Sequence, residues 1–211
     1  MSKSCYYFPL DLVPHHLQLD RLLPWIIAIG APGRASIQDI QALLGIIPLN
    51  LNAAILIVLH HQFNRPSHLL GLLQRSTAMP VLVADEGRRF ERGHCYIGEP
   101  ASHLTHVARS YGTFVDDPQA AHRTRTVDLL FHSIAARAGG RIIGVIRSGA
   151  LEDGSRGMAA IHAGGCKTMV ITPNSPRGPG MSESAIGYDG PIDHIGSVEE
   201  IAEAIHRLVG T

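Results

Sequence analysis

An excess of either charge is the first thing this chain lacks. Its 211 residues carry 18 Lys+Arg and 18 Asp+Glu, a formal net charge of zero. No basic field is available for nucleic acid or for an acidic membrane surface, so neither is expected as a partner. Cysteine is scarce as well. Cys5, Cys95 and Cys166 lie far apart and form no CxxC pair. That argues against a disulfide framework or a zinc knuckle and fits a reducing, cytoplasmic setting. No run approaches the roughly 20 apolar residues that a spanning helix needs. Pro9, Asp11, Pro14 and Asp20 interrupt what would be the apolar region of a signal peptide. The 13 histidines are scattered, with no HxxxH or HExxH pair. Neither a metal nor a cofactor is therefore expected.

What the chain does have is apolar content, at 45% of residues, enough for the core of one large domain. Residues 1–24 read as an N-terminal extension, and 25–211 as an α/β domain. Within the domain, strands alternate with helix patterns. Ile26–Ile29, Ala54–Leu59, Met79–Val83, Gly93–Gly98, Arg141–Ile146 and Thr168–Ile171 read as short buried strands. Ile37, Ile40, Leu43, Leu44 and Ile47 recur at helical spacing and stop at Pro48. Further helices are expected over His68–Arg75, Val127–Ala138, Ser155–Ala163 and Val198–Leu208, the last capped by Ser197. Such alternation calls for a doubly wound, mostly parallel sheet with helices on both faces.

Three strand ends stand out. The run Trp25–Gly33 (WIIAIGAPG) ends in a tight Gly30-Ala31-Pro32 corner, AILIVL ends at His60, and RIIGVI leads to Asp153. In a parallel sheet all three fall on the carboxyl edge, where binding crevices open. An imidazole and a carboxylate there are the parts of general-base catalysis: one takes the proton and the other fixes its tautomer. A reactive side chain at the first corner would complete the set. Pro32 stands there instead, with neither a hydroxyl nor a backbone N–H.

Several segments in order carry a family likeness: IIAIGAPGRASIQDIQALL, ILIVLHHQF, GHCYIGEPASHL, TVDLLFHSIA, RIIGVIRSGALEDGSRGMAAIHAGG and PGMSESAI. Together they make the chain, from about Trp25 to Leu208, resemble the methylesterase domain of the CheB-type protein-glutamate methylesterases of chemotaxis. The family writes these segments with a GASTGG corner, a VQHM strand end, S-V-D-x-L-F and T-G-M-G-x-D-G. The resemblance implies a serine nucleophile at the GASTGG corner, a histidine base and an aspartate. It also implies a methylated glutamate on a methyl-accepting chemoreceptor as substrate. Carried over by position, the base is His60 and the acid Asp153, but the serine position is Pro32. The family's Met and following Gly become Ala150 and Leu151, and the corner glycines become Arg34 and Ala35. A fold-intact but catalytically degenerate member is expected. Its partner would be a chemoreceptor or related signalling protein. The length leaves no room for the phospho-receiver domain that usually precedes this module, so any response regulator would be a separate protein.

Substitute hydroxyls exist. Ser36 precedes Ile37-Gln38-Asp39, a helix-start pattern in which capping is the plainer role. Ser148 replaces the family threonine on the Asp153 loop, where a loop hydrogen bond is the plainer role. His61 doubles His60. An active ester hydrolase with a displaced serine, Ser36 or Ser148, is thus the alternative. Arg147 replaces an apolar family residue beside Glu152 and Asp153. It reads as an internal ion pair plugging the old site, or else as part of an anion-binding corner with Gly33 and Ala150. Cys166 reads as an inert core thiol. Gly30-Ala31-Pro32-Gly33 is not GxGxxG, and the second strand ends in His60 rather than an acid, which disfavours a dinucleotide.

Overall fold

The computed structural model describes residues 24–32, 36–60, 66–98, 102–107, 111–116, 126–136, 140–147, 153–172 and 191–210. The expected extension up to residue 23, and the Pro- and Gly-rich loop over 173–190, lie outside them. Nine strands are described: β1 Trp25–Pro32, β2 Ala53–His60, β3 Val81–Val83, β4 His94–Ile97, β5 Ser102–Val107, β6 Tyr111–Asp116, β7 Ile142–Arg147, β8 Lys167–Ile171 and β9 His194–Gly196. Five helices accompany them: α1 Ile37–Ile46, α2 Pro66–Gln74, α3 Thr126–Ala135, α4 Ser155–Ala163 and α5 Val198–Val209.

Seven strands form one sheet in the order β3-β4-β2-β1-β7-β8-β9, and every pairing in it is parallel. A parallel sheet must be covered on both faces, and strand alternation divides the apolar residues accordingly. Ile27, Ile29, Ile55, Ile57, Ile143 and Val145 point to the layer of α1, α2 and α5. Ile26, Ala28, Leu56, Val58, Ile142 and Ile146 point to the layer of α3 and α4. The doubly wound architecture expected from the strand-helix alternation is the one observed.

Two departures from the sequence reading have local causes. Ser102–Val107 and Tyr111–Asp116 pair as an antiparallel hairpin, with β5 lying against α3. These strands stand apart from the main sheet and lack the continuous apolar runs of buried parallel strands, so periodicity passed over them. β9 is three residues long and is held by its ladder with β8 rather than by its own propensity. Elsewhere the boundaries move by a few residues. β3 begins at Val81 rather than Met79; Pro80 has no N–H to give, though its carbonyl still accepts from Cys95 at 2.9 Å. The α5 cap is as expected: Ser197 and Glu200 form a reciprocal capping box.

Candidate functional site

The chain leaves β1 to one side for β2 and later returns to its other side for β7. The carboxyl ends of β1, β2 and β7 therefore border the switch point of the sheet, where open α/β folds bind ligands. Pro32 and His60, the last residues of β1 and β2, are register partners. Gly30 pairs with Ile146, so Arg147 ends β7 one step beyond. Alternation assigns these positions to faces. A Cβ at Gly30 would collide with Val127 of α3, so glycine is required for the close approach of that helix to β1. Positions 56 and 58 share that face. Arg147 follows Ile143 and Val145 onto the α1 side.

Asp153 lies on the α3–α4 side of the sheet. It is 3% exposed, and its Oδ1 and Oδ2 accept the backbone N–H groups of Asp128 (2.9 Å) and Val127 (3.1 Å). Those are two of the donors that the first turn of α3 cannot satisfy internally, so Asp153 caps this helix from elsewhere in the chain. The reverse also holds. Gly154 is the N-cap of α4 and has φ +115°, a conformation that excludes other side chains and hence any capping side chain of its own. The Asp128 carboxylate, 5% exposed, supplies the cap, accepting from Gly154 N at 3.0 Å and Gly157 N at 2.8 Å. Each negative charge sits at the positive end of a helix dipole. Asp128 as a partner of Asp153 was not foreseen; the sole signal was an acid in the first turn of an otherwise apolar-faced helix.

Arg147 is paired, but not with Asp153. Its Nε donates to Asp39 Oδ2 at 2.7 Å, with side chains 19% and 22% exposed. The expected neighbour Asp153 faces the other layer, and strand alternation turns Arg147 toward α1, where Asp39 lies in the first turn. The capping role expected of Ser36 is likewise corrected. Ser36 has helical φ −89° and ψ −7°, makes no side-chain cap bond and is fully buried. Asp39, its expected capping-box partner, is engaged with Arg147.

For Pro32 and His60 the description extends to the backbone. Gly33, Arg34, Ala35, His61, Ser148, Ala150, Leu151 and Glu152 lie outside the described residues. Among the described residues, no group of three or more His, Cys, Asp or Glu side chains is placed to hold a metal ion, and no helix is long and apolar enough to cross a membrane. Cys166 is buried, and its thiol pKa is pushed up by desolvation.

A parallel sheet in the order β3-β4-β2-β1-β7-β8-β9, covered by helices on both faces, defines a doubly wound α/β domain. This chain belongs to the CheB methylesterase family, which it matches over residues 27–205. It is 32% identical over 201 residues to a protein-glutamate methylesterase/protein-glutamine glutaminase of Chromobacterium violaceum, covering 93% of this chain and 54% of that protein. A protein of the same name from Shigella flexneri is 31% identical over 190 residues, covering 88% and 52%. The chain thus spans about half the length of the curated relatives it matches. The crystal structure of the Thermotoga maritima CheB methylesterase catalytic domain superposes with TM-score 0.73 at 22% identity, covering 88% of this chain and 99% of that one. Family and fold are those expected from the ordered motifs.

Proposed function

We propose that this chain is a receptor-adaptation module of the CheB family that has lost the esterase reaction and keeps the binding crevice. The observation that carries this reading is the pairing of Pro32 with His60 across the β1–β2 ladder. By resemblance, Pro32 stands where the family places its serine. Acyl transfer needs an oxygen beside the base, and the proline ring supplies none. Loss of a serine nucleophile lowers turnover on the order of a millionfold. The Arg34, Ala35, Ala150 and Leu151 replacements add to the loss, since an oxyanion hole depends on close backbone approach.

In this reading His60 and Asp153 are the remaining base and orienting acid. Ser36 is a poor substitute, because a side chain with no accessible surface meets no incoming ester. The partner is a methyl-accepting chemoreceptor or a related signalling protein in the cytoplasm. Residues 1–24 form an extension whose Leu10, Leu12, Leu17, Leu19, Leu22 and Leu23 need cover. Its deletion is expected to lower the melting temperature and solubility.

A serine-directed fluorophosphonate probe tests the proposal. The wild-type chain is expected to remain unlabelled, and Pro32→Ser to gain labelling that His60→Ala abolishes. Wild-type labelling at Ser36 or Ser148 would replace this reading with that of a displaced-serine hydrolase.

A further inference from the structure

Arg147 ends β7 on the α1 side of the sheet and is held by one of the five N–H donors of its guanidinium. Nε makes the 2.7 Å bond to Asp39, while Nη1 and Nη2 have no protein partner among the described residues. Neither nitrogen is sealed from solvent. The one buried, unpartnered side-chain nitrogen or oxygen among the described residues is Nδ1 of His162, at the opposite edge of the sheet. The side chain is thus 19% exposed, fixed on its inner edge and open on its outer edge, at the switch point of the sheet.

A guanidinium restrained in this way is preorganised for a planar carboxylate, which it grips bidentately. Asp39 keeps the buried charge compensated when the outer edge is vacant. A methyl ester at the same place offers a neutral acceptor, whose hydrogen bonds are about half as strong as charge-assisted ones.

We infer that the Nη edge of Arg147 seats a glutamate side-chain carboxylate presented by the partner protein. The chain then binds the unmethylated form of the site in preference to the methylated form. This rests on the receptor-binding reading above. With no nucleophile at position 32, no chemistry follows binding.

Calorimetric titration of the intact 211-residue chain tests it. The probes are two receptor-type helical peptides that differ at one residue, glutamate in one and its γ-methyl ester in the other. The wild type is expected to bind the glutamate peptide about tenfold more tightly, a difference of about 1.4 kcal/mol. Arg147→Leu is expected to bind both peptides at the ester level. Arg147→Lys, which keeps the charge without the fork, is expected to retain part of the preference, and it carries the test if Arg147→Leu does not fold. Equal binding of both peptides by the wild type overturns the Arg147 seat and leaves receptor binding standing. Binding of neither overturns both. Acetate or inorganic phosphate that binds as tightly as the glutamate peptide, and is lost in the Arg147 variants, would make the seat one for free anions and overturn the peptide assignment.

Discussion

Asp153 accepts the backbone N–H of Asp128 at 2.9 Å, and the Asp128 carboxylate accepts the N–H of Gly154, the next residue after Asp153, at 3.0 Å. Each acid caps the helix that begins beside the other. Asp153 therefore has a structural role that does not depend on a nucleophile. A chain with proline at position 32 would keep that acid for its fold alone.

The reciprocity can be measured. Asp128→Ala and Asp153→Ala each leave two buried amides without acceptors, so each is expected to cost about 1–3 kcal/mol of stability. The two changes should couple, because loss of either frees the segment that carries the other. A double-mutant cycle read by urea denaturation is expected to give an interaction energy above about 0.5 kcal/mol. Additive losses would mean that the caps act independently.

Asp193 supplies the acid limb of stability. Burial alone would raise its carboxyl pKa. The Lys167 ammonium at 2.7 Å, with the N–H and hydroxyl of Thr168, outweighs burial and holds the pKa below the usual value. A carboxylate depressed in the folded state adds stability above its unfolded pKa, about 3.9, and loses it as pH falls through the lower folded value. The gap in urea midpoint between wild type and Asp193→Asn is thus expected to be full near about pH 6 and to close below about pH 4. A gap unchanged by acid would remove Asp193 from that role.

Cys95 and Cys166 are both buried, and desolvation raises the pKa of each thiol. At about pH 8, where a free cysteine is partly thiolate, neither should react with an aromatic disulfide reagent in the native state. In a Cys5→Ser background, both are expected to react only on unfolding. Fast native labelling would contradict the burial.

Most of the main sheet was legible because buried parallel strands are written as apolar runs such as ILIVL, and its helices as one-sided stripes such as Ile37, Ile40, Leu43 and Leu44. The hairpin of β5 and β6 was not, since polar residues interrupt SHLTHV and YGTFVD. At the site, the strand ends were legible and the partners were not. Asp39 lies 108 residues from Arg147, and the two meet only because alternation in β7 turns residue 147 toward α1. The neighbouring acids in sequence suggested a different pair. Asp128 was passed over for a related reason: its two acceptor bonds exist only once α3 and α4 lie side by side.

Methanol release from methylated chemoreceptor shows whether any nucleophile remains beside the histidine position. Wild-type protein and His60→Ala are expected to release methanol at the same rate as receptor alone. Release by the wild type above that background, abolished by His60→Ala, would mean that a working nucleophile is present.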